Sequence, residues 1–219
     1  MQIIKNHPVI PLAAAGLALS ASAVNAALIV FADPATQVTA SSEIGGAFNR
    51  QDDFLVNGSG LTGGQHAIAV EPNMWLSRGT SFGGDDLDPS VIFDLGAVYT
   101  INSFHVWNYN ESPPNLTARG VNGVAVEYGT TAGLGSVVPG ITNFAQADGL
   151  ATYAGEDFSG FTSFDARFIK FDINSNHGGD NNFYGLSEVQ FDGVLAVPEP
   201  ATGTLAGLSV LAFALRRRR

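Results

Sequence analysis

Between residues 27 and 196 no stretch of ten residues presents an amphipathic helical face. The segment is instead a series of short apolar or alternating runs cut by glycine and asparagine. Val91-Ile92-Phe93-Asp94-Leu95 ends at Gly96, and Val98 to Trp107 follows as a longer alternating run. In that run Tyr99, Ile101, Ser103, His105 and Trp107 fall on one face of a pleated strand, opposite Thr100, Asn102, Phe104 and Val106. Val121 to Tyr128 alternates with Val124, Val126 and Tyr128 on one side, and Phe168 to Ile173 sets Ile169, Phe171 and Ile173 against Phe168, Lys170 and Asp172. Gly185 to Phe191 reads as a last strand with Leu186 and Val189 inward. Short strands spaced by turn residues, without β–α alternation, specify an all-β antiparallel sandwich or jelly roll and exclude parallel α/β folds.

The two ends obey different rules. Lys5 and His7 precede the nearly unbroken apolar run Val9 to Ala23, and Val24-Asn25-Ala26 places small residues where a signal peptidase reads. Residues 1–26 are therefore expected to be a signal peptide cleaved after Ala26. At the other end, Pro198-Glu199-Pro200 leads into the apolar stretch Ala201 to Leu215 and then Arg216-Arg217-Arg218-Arg219. Those 15 apolar residues fall short of the roughly 20 that a helix needs to cross a bilayer core. The arginines favour the cytoplasmic side. Residues 197–219 resemble the PEP-CTERM sorting signal of Gram-negative bacteria. The resemblance implies export, transient inner-membrane anchoring through a hydrophobic sorting helix with a short transmembrane segment at 201–215, and removal by an exosortase-type membrane protease. The cell surface or extracellular matrix is the implied destination.

What lies between, residues 27–196, is one domain's worth of chain. It holds 19 acidic and five basic residues, so its net charge is about −14, against −10 for the whole chain. Such a surface repels phosphate backbones, which excludes nucleic acid as a partner, and it attracts cations. The chain has no cysteine, so no disulfide or thiolate site contributes to its stability or chemistry.

Thr39-Ala40-Ser41-Ser42, Phe54 to Leu61, Trp75, Val91 to Gly96, Ala166 to Phe171 and Gly185 to Phe191 follow one another in an order similar to that of the discoidin, or coagulation factor V/VIII type C, superfamily. Its members share a galactose-binding-like jelly roll and include the family 32 carbohydrate-binding modules. The similarity spans about residues 36 to 193. This chain has Asn57-Gly58 where the family commonly has Asp-Gly, and it lacks the two cysteines that often tie the termini. The resemblance implies a structural calcium between the early loop and the last strand, with Asp53, Asn57 and Glu188 as ligand candidates and Asp52 as a neighbour. Calcium accepts amide and backbone oxygens alongside carboxylates.

Asp85-Asp86-Leu87-Asp88 lacks the spacing of an EF-hand and is expected to be a solvated loop. His177-Gly178-Gly179-Asp180-Asn181-Asn182-Phe183-Tyr184 combines amides, a histidine and aromatic rings, the groups that stack on a pyranose and bind its hydroxyls. His177, Asn181, Asn182 and Tyr184 are therefore the ligand candidates, with Tyr109 expected on the same rim and Trp75 in the core. No nucleophile elbow, zinc helix, P-loop or dinucleotide fingerprint occurs, and His66, His105 and His177 are scattered, so catalysis is not expected. Two functions fit: a module that binds extracellular polysaccharide, or a purely structural matrix protein with no small ligand.

Overall fold

The computed structural model describes residues 25–68, 73–84, 86–178 and 182–196. The proposed signal-peptide run, Asn181 and the sorting residues Pro198, Glu199, Pro200 and Arg216 to Arg219 lie outside them; Ala26 is described and exposed. In chain order the strands are β1 (Ala27–Leu28), β2 (Val38–Ala40), β3 (Leu61–Thr62), β4 (Gln65–His66), β5 (Trp75–Leu76), β6 (Ser90–Asn108), β7 (Val124–Gly129), β8 (Ser136–Val137), β9 (Glu156–Phe158), β10 (Phe164–Ile173) and β11 (Gly185–Leu195). One helical turn, α1 (Pro34–Gln37), precedes β2. Among the described residues no helix is long and apolar enough to cross a membrane.

The strands pair antiparallel throughout, in the order β1-β11-β6-β10-β7-β8, with β2 and β9 also on β6 and β5 also on β11. The long strand β6 organises this arrangement. Its first part runs between β2 and β10, and its second part runs beside β11 and β9. The sequence suggests a break at Gly96, whereas β6 is continuous from Ser90 to Asn108. The break survives as a bulge: Ala166 pairs with Tyr99 but Phe168 pairs with Asp94, so the stretch from Leu95 to Val98 stands opposite Arg167 alone. Gly96 takes φ +78° there, a conformation that favours glycine. Arg167 closes the bulge with a two-pronged bond to Asp94, Nε to Oδ1 at 2.8 Å and Nη2 to Oδ2 at 2.9 Å.

A second bulge overturns the expected facing of β6. Asp192 pairs with Ser103 and Gly193 with Ile101, leaving Asn102 as the extra residue. The alternation slips there, so Ile101 joins Phe104 and Val106 in the main core while Trp107 packs elsewhere, with Ala147 and Tyr153. The alternations expected in β7 and β10 hold: Val124 and Val126, and Ile169, Phe171 and Ile173, are buried. The core is aromatic. Phe93 meets Phe171 and Phe191 edge-on, each at 5.2 Å between centroids, and Phe104 stacks on Phe158 at 4.9 Å. Trp75 is buried, with its indole N–H donated to the Ser42 carbonyl.

Candidate functional site

At the end of the domain where β11 begins, five chain segments meet around a pocket of about 320 Å³ lined by Ile44, Phe48, Arg50, Leu76, Phe82, Glu111, Arg119 and Phe183. Short-range rules bring them there. Ile44 bridges Arg50, and the excursion between them uses Gly46 and Asn49, both at positive φ, which turns Phe48 outward. The turn Thr80–Phe82 ends on Gly83 at φ +89° and presents Phe82. Beyond β6 the chain passes through Glu111, the cis Ser112–Pro113 bond and the turn Pro114–Arg119. Phe183 enters just before β11, its carbonyl held by the Asn176 amide at 2.8 Å.

The site has a polar floor and an aromatic mouth. Glu111 Oε1 accepts from Arg50 Nη2 at 2.6 Å and Oε2 accepts from Arg119 Nη1 at 3.2 Å. The Tyr109 hydroxyl donates to the same Oε2 at 2.7 Å. Burial raises the Tyr109 phenol far above its usual range, so this hydroxyl stays protonated and acts as a donor. Arg119 lies over the Phe183 ring, 4.7 Å from its centroid. Above this floor Phe82 contacts both Phe183, at 5.8 Å, and Phe48, at 5.0 Å and 84°. Phe48 and Phe82 remain 48% and 38% exposed. An edge-on pair of exposed rings beside a fixed carboxylate and guanidinium groups offers one surface for the apolar face of a ring and another for its hydroxyls.

The residues expected to bind a ligand are distributed differently. Tyr109 is wholly buried beneath the pocket and not on its rim, because β6 carries it inward to pack with Ile44, Met74, Leu76 and Phe183. Tyr184 packs against the main core, its backbone N–H bonded to Ser77 Oγ, since neighbouring residues of an extended chain point to opposite sides and Phe183 takes the pocket side. His177 is tied through Nε2 to the Phe144 carbonyl at 3.0 Å. Asn182 is exposed at φ +52° and does not line the pocket. Phe48, Arg50, Phe82, Glu111 and Arg119 were absent from the sequence-derived set. The usable signal was a phenylalanine set beside glycine pairs, in Gly45-Gly46-Ala47-Phe48 and Phe82-Gly83-Gly84.

The cation candidates occupy a different place. Glu188 is buried, where a solvated strand residue would have been exposed, because the bulge between Leu186 and Glu188 turns it toward the 57–58 loop. Its carboxylate accepts from the Gly58 N–H at 3.1 and 3.2 Å. Burial pushes its pKa up to about 8. Asn57 Oδ1 accepts from the Ser59 N–H at 2.9 Å. Asp53 holds one buried carboxyl oxygen without a partner, and burial, then the adjacent Asp52, raises its pKa. Among the described residues no three carboxylates or histidines converge as a metal cluster. The acidic loop is not simply solvated, since Asp86 accepts from the hydroxyls of Ser41 and Ser42.

The remaining segment is decided by comparison. Residues 196–219 match the PEP-CTERM protein-sorting motif. The chain carries an exosortase sorting signal. It marks an exported protein that is transiently anchored in a membrane. The described part of the chain has the fold of the family 32 carbohydrate-binding modules. One such module, from a family 31 glycoside hydrolase of Clostridium perfringens, superposes with a TM-score of 0.53 at 17% identity, over 73% of this chain and 93% of that one. Another, from C. perfringens NanJ and solved in complex with galactose, gives 0.51 at 16% identity, over 76% and 98%. A truncated AlyQ that joins such a module to alginate lyase domains is matched over 80% of this chain and 36% of its own (TM-score 0.48, 19% identity). No curated protein matches in sequence.

Proposed function

We propose that the sandwich binds extracellular polysaccharide without catalysis, in the pocket at the start of β11, and that a Gram-negative cell exports the protein to its surface or matrix through exosortase processing. The observation that carries this reading is the exposed Phe48–Phe82 pair standing over the carboxylate shared by Arg50 and Arg119. Rings left in water at the mouth of a concave site lose apolar hydration when a pyranose covers them, and the fixed polar floor selects for hydroxyl geometry. The sandwich fold shared with the carbohydrate-binding modules, one of them solved with galactose, supports the same reading. Among the described residues lining the pocket Glu111 is the one carboxylate, and it is engaged by two guanidinium groups, an arrangement that supports binding over acid–base cleavage of a glycosidic bond. A calcium beside Glu188, completed by the Asn57 side chain and carbonyls of its loop, is supported by the burial of a carboxylate that accepts from the Gly58 N–H and the Gln190 side chain; Asp53, with one buried carboxyl oxygen lacking a hydrogen-bond partner, is the further ligand candidate.

A glycan array probed with the full chain in detergent tests the proposal. Consistent hits that disappear in Phe82→Ala, with the fold retained by circular dichroism, are the expected result. A blank array with folded protein overturns it and leaves the structural matrix role.

A further inference from the structure

The sorting tail and the pocket leave the domain at opposite poles. β11 starts at Gly185, which pairs with Leu76 of the pocket wall, and ends at Leu195. At ~3.3 Å per residue those ten steps span about 33 Å. The sorting motif begins at Ala196, whose N–H is held by the Val98 carbonyl at 2.9 Å. β1 pairs at the same far end, Ala27 opposite Gly193, so the chain also enters the domain there. Pocket residues from all other segments gather at the Gly185 end: Leu186 pairs with Asn108, three residues before Glu111, and Gly120, next to Arg119, bridges Gly185.

Only residues 196–200 separate β11 from the apolar run at Ala201. Five residues reach at most about 18 Å. A membrane-anchored domain therefore sits close to the bilayer by its tail pole. The 27–196 segment carries 19 acidic and five basic residues, and anionic headgroups repel such a surface, which disfavours laying it flat.

We propose that, while the tail holds the protein in the membrane, the pocket faces away from that membrane and takes its saccharide from the aqueous side, not from glycolipid headgroups of the bilayer that anchors it. The identity of the ligand class rests on the proposed sugar-binding role; the orientation does not. A cysteine-free chain makes the orientation measurable, because single cysteines can be introduced at exposed Ser81 on the pocket pole (Ser81→Cys) and exposed Leu195 on the tail pole (Leu195→Cys). Each full-length variant is labelled with a fluorescent donor and reconstituted into vesicles of phosphatidylethanolamine and phosphatidylglycerol carrying a headgroup acceptor. Circular dichroism verifies the fold and flotation verifies insertion. Energy transfer several-fold stronger from position 195 than from position 81 is the expected result. Equal transfer, stronger transfer from position 81, or a folded chain that fails to float overturns the proposal. No sugar enters this assay, so its failure is separate from failure of the binding role.

Discussion

The ring of Phe82 stands edge-on to that of Phe48, with centroids 5.0 Å apart and planes at 84°, although the two lie 34 positions apart in the chain. Each ring comes from its own glycine-bounded loop, and both stay exposed, so the sandwich core does not depend on the pair. Phe48→Ala and Phe82→Ala should each weaken binding of an array-identified saccharide by roughly tenfold, about 1.4 kcal/mol, through loss of a stacking face. Their melting temperatures should stay near that of the parent. Titration calorimetry alongside thermal unfolding measures both; a large loss of stability with unchanged affinity would place the rings in the fold and not the site.

Glu111 has the opposite profile. Its side chain is only 10% exposed and is shared by two arginines and the Tyr109 hydroxyl. Removing one member of a buried charge network strands the others, at about 3 kcal/mol or more. Glu111→Ala should therefore lower the denaturation midpoint and also abolish binding, whereas Glu111→Gln keeps the shape and should recover part of the stability but not the affinity. Urea unfolding of the two variants against the parent checks the order.

The alternating segments were readable because burial of one face imposes a period of two: Val124 and Val126, and Ile169, Phe171 and Ile173, point inward as their spacing requires. The extra residue Asn102 in β6 was not readable, since a bulge is set by pairing with β11 and leaves no local pattern. Glu188 emerged through its place in a family-like motif order. Arg50, Glu111 and Arg119 had no such route. They are scattered over 70 residues and brought together only when β5, β6 and β11 pair. Tyr109 was misplaced for a related reason: an aromatic ring beside asparagines looks like a rim, and only the tertiary packing shows it to be the floor.

Gly185 marks the tightest joint beneath the pocket. A Cβ there would collide with the Tyr109 ring and come within 2.9 Å of Leu76 Cδ1. Overpacking of this kind costs roughly 1–3 kcal/mol. Gly185→Ala should lower the melting temperature and, by displacing Tyr109 from Glu111, weaken saccharide binding as well. Scanning calorimetry and the array hit together test this. An unchanged melting temperature would mean that the joint yields without cost.

Processing of the tail gives a prediction independent of the pocket. If Pro198-Glu199-Pro200 is read by an exosortase, Glu199→Ala should leave the chain at full tail length in the membrane fraction of a producing cell, while the parent appears shortened. Intact mass of the two forms decides it; equal shortening of both removes Glu199 from the recognition element.

Glu188 links pH to stability. Burial lifts its folded pKa to about 8 from an ordinary 4.5. The folded state thus holds the proton more tightly than the unfolded chain. The associated stability is fully present below pH 4.5 and is lost as pH rises through about 8, by up to about 1.4 kcal/mol per pH unit within that window. In EDTA the melting temperature should therefore fall between pH 5 and 9, and Glu188→Gln, neutral throughout, should flatten that component. If calcium binds the ionised carboxylate as proposed, it should restore the parent at pH 8 in proportion to its concentration and leave Glu188→Gln unchanged. The two arms separate the claims. A flat EDTA profile in the parent refutes the buried-carboxylate linkage, whereas a sloped profile that calcium does not lift refutes the cation site alone.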